Sequence, residues 1–193
     1  MDKMSTKRKY LLSTLLAVSF GYFAGAYSIR GLSVSEIERL GKLSYAIYNQ
    51  DVFNTDFLTA FYNNSLFIII ILFAGLSVIG FLAVLPLIFY KSYGFGFSSA
   101  VFYLVFGAKG IIPVITLLLP TAFIIYILLI FSGADALCFS LNVLNGEDKH
   151  NSMLRLRDYL FKTVIYSVIS LVVPFFDIVI YPFFVHLFRW AIL

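Results

Sequence analysis

The sequence predicts an all-α fold, a polytopic bundle of about five transmembrane helices with broken or membrane-dipping segments and an external amphipathic helix. Two observations predict this class. Of the 193 residues, 61% are hydrophobic and 12% are charged, whereas an average soluble domain carries about 25% charged residues. The apolar residues also form long runs, and each helical crossing of a bilayer needs about 20 of them. Residues 1–193 therefore form a single integral membrane domain.

The charge and the Cys and His content limit the classes of partner and site. A formal net charge of +4 does not indicate a nucleic-acid partner here, because the basic residues flank apolar runs, which is how membrane orientation is encoded. One Cys and two His cannot form an internal disulfide or a zinc or iron ligand set. The sequence also has no nucleotide-binding motif. We therefore expect no metal and no cofactor, and we expect the lipid bilayer and other membrane proteins as partners.

The first predicted span covers residues 11–29 and follows four basic residues. Its apolar run is longer than the core of a typical signal peptide, so we expect an uncleaved helix. Gly21 and Gly25 are four residues apart, a Gly-x-x-x-Gly step that lets another helix backbone approach closely. We predict that this step packs against a helix of the same chain.

An external amphipathic loop is predicted over residues 30–63. Ser33 and Glu36 have the spacing of a capping box, which predicts a helix start. Apolar residues then recur at helical intervals, so the helix is amphipathic. It can lie in the membrane interface or cover the top of the bundle.

Four further spans and one shorter element are predicted after this loop. The spans cover residues 65–90, 94–107, 121–141 and 163–188. Residues 111–119 are too short to cross a bilayer and stop at Pro120, which predicts a membrane-dipping half-helix. A polar cytoplasmic loop is predicted over residues 142–162.

The distribution of Lys and Arg predicts the orientation. Nine of the 14 belong to the amino terminus, Lys91 and the loop 142–162, and five belong to 30–63, Lys109 and Arg189. Cytoplasmic segments carry the excess of basic residues, so we predict a multi-pass plasma-membrane protein with a cytoplasmic amino terminus. If the last segment hairpins instead of spanning, the carboxyl terminus also returns to the cytoplasm.

Asp177 lies in the middle of the last apolar stretch, between Pro174 and Pro182. A central Asp costs about 2.5–3.5 kcal/mol on insertion scales, and each proline removes a backbone donor and favours a kink. The carboxylate and the freed carbonyls must therefore face other helices or a wet cavity. Two interpretations stay open: Asp177 caps the half-helix that follows Pro174, or it has a functional role.

Four other polar residues at or near the membrane have similar alternatives. Asn63 and Asn64 cap the start of a span, or they hydrogen-bond to the helix of Asp177 and latch the bundle. Asp135 is a wetted residue at the cytoplasmic boundary, or it forms a carboxylate path with Asp177. Lys109 near the outer interface is predicted to snorkel.

An enzymatic function is considered because Ser98 and His186 mimic the nucleophile and base of intramembrane serine proteases. A general base must lie within hydrogen-bond reach of its nucleophile. The predicted topology separates the two side chains by most of a bilayer. We therefore predict no catalytic residues and no enzymatic activity.

A series of short motifs occurs in a defined order along the chain. They are Phe61-Tyr-Asn-Asn64, the small residues between Tyr90 and Gly96, Leu119-Pro120, Ser132-Gly-Ala134, and an acid five residues before a proline, Asp177 to Pro182. This order resembles the stage II sporulation protein M family of bacterial membrane proteins. The resemblance covers about residues 57–184.

Two departures mark the chain as a divergent member of that family. The family usually follows the proline with His-Gly and a glutamate a few residues on, where this chain has Thr121-Ala122 and Ile125. The late acid is usually Glu, and here it is Asp177. If the His and Glu carry a family function, this chain has lost or moved it.

The resemblance implies an accessory role in the bacterial membrane. In sporulating bacteria the family member positions peptidoglycan-degrading partners during engulfment, and other relatives accompany transporters or the maturation and immunity of membrane-active peptides. We therefore expect a scaffold for membrane partners, cell-wall hydrolases or an ABC transporter among them, which could also be a homo-oligomer. The alternative is a transporter or channel component in which Asp177, Pro120 and Pro174 line a polar path.

Overall fold

A computed structural model describes residues 3–49, 57–77, 79–144, 149–175 and 178–179 of the chain. The described residues are almost entirely helical, which confirms the predicted all-α class. Four helices among them are long and apolar enough to cross a membrane, and a shorter apolar helix accompanies these four. The four are Lys7–Gly31, Gly80–Pro113, Leu119–Leu144 and Leu156–Phe175, and the shorter one is Asn64–Gly75.

The helices are numbered here in chain order. They are α1 (Lys3–Ser28), α2 (Val34–Asn49), α3 (Phe57–Gly75), α4 (Gly80–Phe106), α5 (Ile111–Pro113), α6 (Leu119–Leu144) and α7 (Lys149–Ser170). A 3-10 turn follows α1 at Ile29–Gly31, and another follows α4 at Gly107–Gly110. A π-helical turn at Val114–Leu118 links α5 to α6.

Helices α1 and α4 run in the same direction, and their backbones come into close contact at glycine residues. A Cβ built on Gly21 would lie 2.4 Å from the carbonyl oxygen of Phe89, and one built on Gly25 would lie 2.0 Å from that of Tyr93. These separations are too short for real atoms, so only glycine permits this approach of the two backbones. The predicted packing of the Gly-x-x-x-Gly step within the chain is confirmed.

Helix α6 runs antiparallel to α1 and α4. The Thr14 hydroxyl of α1 donates to the Ile130 carbonyl, and further towards the end of α6 Ser140 accepts a hydrogen bond from the Phe81 N–H of α4. Helix α7 folds back along α6 and runs antiparallel to α3. The start of α1, the α3–α4 turn, the end of α6 and the start of α7 therefore lie at one end of the bundle.

The opposite end of the bundle carries α2 and the connection between α4 and α6. The capping box of α2 is confirmed, because the Ser33 N–H donates to Glu36 Oε2 at 2.8 Å and the Glu36 N–H donates to Ser33 Oγ at 3.4 Å. Gly41 lies 3.9 Å, measured from an ideal Cβ, from the side chain of Val105 near the end of α4. The amphipathic helix therefore packs against the end of the bundle, one of the two placements predicted for it.

The core lies between α3, α4 and α6. Its fully buried residues are branched aliphatic side chains, which recur on one face of each helix. They are Ile68, Ile71, Leu72, Val84, Ile88, Ile125 and Leu129. Val18 of α1 and Tyr159 and Val173 from the region of α7 complete this cluster, so five helical segments share one apolar interior.

The predicted boundaries of the second and third spans differ from the structure. The spans 65–90 and 94–107 placed a membrane exit at Tyr90 and Lys91, whereas the chain turns between Gly75 and Gly80 and α4 continues through both residues to Phe106. A Cβ built on Gly80 would lie 1.8 Å from the Ala74 carbonyl oxygen, so the turn requires glycine there. The stretch around this turn has no charged residue and no proline, so the sequence did not indicate the turn.

The predicted half-helix 111–119 and the predicted break at Pro120 also differ from the structure. Residues 111–118 are helical and lead directly into α6, of which Pro120 is the second residue. Pro120 removes one N–H donor from this continuous helix, and the π turn Val114–Leu118 lies directly before it. The predicted loop 142–162 is mostly helical, because α6 extends to Leu144 and α7 begins at Lys149.

Candidate functional site

A buried ionic cluster joins α1, α6 and α7. Asp135 of α6 is 6% exposed. Its Oδ1 lies 3.1 Å from Lys7 Nζ of α1 and 3.3 Å from Lys162 Nζ of α7. Its Oδ2 accepts a hydrogen bond from the Tyr166 hydroxyl at 2.8 Å. Three donors from two other helices thus converge on one carboxylate.

The local sequence explains how these groups meet. Lys162 and Tyr166 are four residues apart on α7 and share a face. Gly133 precedes Asp135 on α6, and a Cβ built there would lie 2.5 Å from Ile88 and 3.2 Å from Thr14. The missing side chain lets α6 approach α1 and α4. Lys7 lies two turns before Thr14, which places its ammonium group at the level of Asp135.

The cluster combines a buried anion with two half-exposed cations. The Lys7 and Lys162 side chains are 46% and 45% exposed, and the Asp135 side chain is 7% exposed. A buried carboxylate is viable when charged donors and hydrogen bonds satisfy it, which these groups do. These charged groups can stabilise the packing of α1, α6 and α7 against one another by electrostatic attraction. The two ammonium groups also retain donor capacity on their exposed sides, because each carries three N–H bonds.

The expectation that Asp135 lies at the cytoplasmic boundary stays a prediction, and the structure shows how its side chain is accommodated. The side chain lies inside the bundle and binds α1 and α7. Sequence reasoning missed Lys7, Lys162 and Tyr166 as its partners, because it assigned the lysines to membrane orientation. The four-residue spacing of Lys162 and Tyr166, just before the apolar part of α7, was the available signal.

A second polar centre links α3 and α4. Lys91 lies within α4, and its Nζ donates to Asn64 Oδ1 of α3 at 3.0 Å. The same ammonium group lies 5.8 Å from the ring centre of Phe67 and 5.1 Å from that of Phe95, which are cation-π distances. Asn64 therefore bonds to α4, and the side chain of Asn63 lies outside the described residues. Lys91 does not mark the end of a span as predicted.

The start of the proline-containing segment shows how the bundle accommodates a lost backbone donor. Pro174 is fully buried and has no N–H to donate to the carbonyl of Ser170, four residues earlier. The helix α7 ends at Ser170, and the Ser65 hydroxyl of α3 donates to that carbonyl at 2.6 Å. The freed carbonyl thus faces another helix, as bilayer physics requires. Ser65, next to the predicted Asn63-Asn64 pair, makes this contact.

Backbone groups at the α3–α4 turn also form hydrogen bonds with side chains of neighbouring helices. The Tyr159 hydroxyl of α7 donates to the Leu72 carbonyl at 2.6 Å, near the end of α3. Ser140 of α6 donates to the Ser77 carbonyl at 2.7 Å and accepts from the Phe81 N–H at 3.0 Å. Helix ends leave such backbone groups without intrahelical partners. Side chains of neighbouring helices supply them here.

Two other predicted residues, Pro120 and Lys109, lie apart from the ionic cluster. Pro120 is half-buried at the start of α6, and Lys109 is exposed in the 3-10 turn after α4. Asp177 and Pro182 lie outside the described residues, and so do the predicted bounds of the fifth span beyond residue 179. Within the described residues, no three His, Cys, Asp or Glu side chains are grouped to hold a metal ion.

Comparison with protein families identifies this architecture. The family model described as Stage II sporulation protein M matches residues 11–179, most of the chain. The chain belongs to the stage II sporulation protein M family. Comparisons with curated proteins and with solved structures gave no match. In this family member the matched region contains Asp135, Lys162 and Tyr166, while Lys7 precedes it. The membership and the apolar helices identify a membrane protein.

Proposed function

We propose that the protein is a non-enzymatic accessory protein of the bacterial cell membrane that holds partner proteins in a fixed arrangement. The observation that carries this proposal is the use of polar side chains at helix contacts. Asp135 accepts from two lysines and a tyrosine, and Ser65, Tyr159 and Ser140 bind backbone groups of neighbouring helices. These contacts favour a bundle that keeps one shape over one that opens a path.

The proposed topology is multi-pass with a cytoplasmic amino terminus. Lys7 and Lys162 lie at one end of the bundle with the start of α7, and α2 lies at the other end. Without Lys91, which lies within α4, the predicted cytoplasmic side still has eight basic residues against five on the other side, which supports the orientation. In this topology α2 offers a polar surface to partners outside the cell.

The membrane-facing surface offers a second place for partners. Exposed apolar side chains of α1 recur every three or four residues and form one stripe, which we call the α1 stripe: Leu12, Leu16, Phe20, Phe23 and Tyr27. Lipid or a partner helix can cover such a stripe. The proposed partners are membrane proteins, with cell-wall hydrolases and an ABC transporter as the candidates that the family suggests.

Site-specific photo-cross-linking in cells tests the scaffold proposal. A photoreactive residue is placed at Phe20 on the α1 stripe, or at Phe161 on the exposed surface of α7 as a matched position. We expect a discrete cross-link to a membrane protein from at least one of these faces, with mass spectrometry identifying that protein. Only diffuse lipid adducts from both faces, together with a protein that purifies alone in mild detergent, would contradict the proposal.

A transport role is the second candidate, and Lys91 favours it. Charged residues within membrane spans are costly and often mark substrate or ion pathways. The variant Lys91→Met keeps most of the aliphatic stem and removes the charge. If the protein is a scaffold, the folded Lys91→Met variant keeps partner binding and cellular activity. If Lys91 lines a transport path, the variant keeps partner binding but loses cellular activity. The variant Asp177→Asn distinguishes the two functions by the same criteria.

A further inference from the structure

We propose that Lys7 and Lys162 form a binding site for the phosphate headgroup of an anionic phospholipid at the end of the bundle where α1 and α7 both reach Asp135 of α6. The two ammonium groups contact the same oxygen of Asp135, at 3.1 Å and 3.3 Å, so they lie no more than about 6.4 Å apart, the sum of these distances. One phosphate group can bridge two ammonium groups at this spacing.

Asp135 uses only part of the hydrogen-bonding capacity of Lys7 and Lys162. Each ammonium has three N–H donors, and both side chains are nearly half exposed. Two positive charges share one negative charge, so the Lys7, Lys162 and Asp135 group keeps a net charge of +1. Asp135 occupies one side of the two ammonium groups and leaves their outer sides to a second anion.

The surrounding charges at this end of the bundle favour an anion. Arg8 and Lys9 follow Lys7 on α1 and are exposed, and Arg157 is exposed on α7. Asp158, also exposed on α7, is the opposing charge among these described neighbours. Basic clusters between helices at a membrane surface bind the headgroups of anionic lipids.

The surface beyond the lysines indicates a lipid and not free phosphate. On α1, Leu11 and Leu15 lie one and two turns beyond Lys7; Leu11 is half-buried and Leu15 is 50% exposed. On α7, Ile165 and Ile169 lie one and two turns beyond Lys162, on the same side of the helix, and are 40% and 42% exposed. A headgroup bound at the lysines therefore has apolar surface beside it for its acyl chains. Free phosphate would gain nothing from that surface.

Native mass spectrometry of the purified full-length protein tests this site. The protein is mixed with phosphatidylglycerol or phosphatidylcholine, and the number of retained lipids is counted. We expect preferential retention of phosphatidylglycerol, reduced about fivefold for each lysine neutralised in Lys7→Gln and Lys162→Gln, as expected for about 1 kcal/mol per basic residue near a membrane surface. The matched control Lys42→Gln neutralises an exposed lysine on α2 at the opposite end and should retain the wild-type preference.

The role of Asp135 provides a second variant with the opposite expectation. Asp135→Asn removes the internal competitor for the lysines, so lipid retention should stay equal or increase while thermal stability falls. Equal retention of the two lipids by wild type would overturn the proposal, as would undiminished preference in the double lysine variant. Protection of the lysine side chains by inorganic phosphate as strong as that by phosphatidylglycerol would overturn the lipid assignment.

If the double lysine variant fails to fold, chemical labelling of wild-type lysines replaces it. Lys7 and Lys162 should label at least threefold more slowly in vesicles with phosphatidylglycerol than in vesicles of phosphatidylcholine alone, after normalisation to Lys42. Equal labelling in the two vesicle types would contradict the site. Partner binding plays no part in either measurement, so this proposal stands or fails separately from the scaffold function.

Discussion

Ser65 and Pro174 form a compensating pair at the scale of single residues. Proline removes the N–H that would bind the Ser170 carbonyl, and the Ser65 hydroxyl binds it instead at 2.6 Å. In apolar surroundings an unsatisfied carbonyl is costly, so the serine is needed because the proline is present. The two residues are 109 positions apart in the sequence, and neither suggests the other.

A double-mutant cycle measures this compensation. We expect Ser65→Ala to lower the stability of the folded protein by about 0.6–1.7 kcal/mol, the range found for hydrogen bonds between membrane helices. In the Pro174→Ala background, the backbone N–H of residue 174 can bind the Ser170 carbonyl. The cost of Ser65→Ala should then fall towards zero. Equal costs in the two backgrounds, measured by thermal or denaturant unfolding in detergent, would contradict the compensation.

Asp135 makes the second prediction at this scale. We expect Asp135→Asn to lower stability by about 1–3 kcal/mol, because the amide loses the charge that the two lysines and Tyr166 satisfy. The half-exposed lysines can turn towards water, which limits the cost. The control Asp158→Asn changes an exposed carboxylate on α7. Its unfolding temperature should match that of wild type, and a similar loss in both variants would indicate a general charge effect.

The crossing of α1 and α4 is the strongest constraint at the scale of elements. A methyl group at Gly25 would meet the Tyr93 carbonyl oxygen at 2.0 Å, whereas one at Gly94 would have nothing within 4 Å. Both glycines lie inside helices, so each gains about 1 kcal/mol of helix propensity on substitution by alanine. The two substitutions therefore differ chiefly in their effect on packing.

The substitutions Gly25→Ala and Gly94→Ala should have different effects on the stability of the folded protein. Gly25→Ala forces the two backbones apart and should destabilise the protein by about 1–3 kcal/mol, as overpacking does. Gly94→Ala should be neutral or stabilising. Unfolding in detergent gives both values. A tolerated Gly25→Ala would mean that α1 and α4 do not meet at this distance.

The start of α2 gives a prediction on pH. Hydrogen bonds from the Ser33 hydroxyl and backbone hold the pKa of the Glu36 carboxyl below its ordinary value of 4.5. A lowered pKa in the folded state means that the capping box stabilises α2 above pH 4.5 and loses this effect as the pH falls through the lowered value. The protection of the amides of residues 34–37 against hydrogen exchange, relative to the intrinsic exchange rate at each pH, should fall at acid pH. In Glu36→Gln this carboxyl cannot titrate, so the protection should lack the additional acid-dependent fall.

The helices show which parts of this fold a sequence can predict. The all-α class, the capping box at Ser33 and the intramolecular glycine crossing follow from composition and local spacing. The turn before Gly80 does not, because Leu76 to Ile79 contain one serine, Ser77, and no charge or proline within a long apolar stretch. Lys91 indicated a boundary because cations usually lie at helix ends, and only tertiary packing with Asn64 and two aromatic rings places one inside α4.

The candidate site was harder to predict for a related reason. The carboxylate of Asp135 was visible as an acid near an apolar run. Its partners Lys7 and Lys162 lie 128 and 27 positions away, in segments whose basic residues have a sufficient explanation in membrane orientation. The register of three helices decides that they meet, and no local pattern encodes that register.

The direction of the whole molecule in the membrane can be tested by labelling. Cys138 is first replaced by alanine, and single cysteines are introduced at Ser33 or Asp158, exposed positions at opposite ends. In intact cells, a membrane-impermeant thiol reagent should modify the cysteine at position 33 and leave the one at 158 unmodified until the membrane is opened. The reverse pattern would invert the proposed orientation.

The ionic cluster also bears on the order in which the chain is made. Lys7 enters the membrane region with α1, long before Asp135 emerges from the ribosome. The helix α1 is long and apolar enough to cross a membrane. When α6 follows, its carboxylate enters a bilayer in which one counter-charge is already anchored. In the order of synthesis, Asp135 can therefore pair first with Lys7 of α1. Lys162 can join the pair only after α7 has been synthesised.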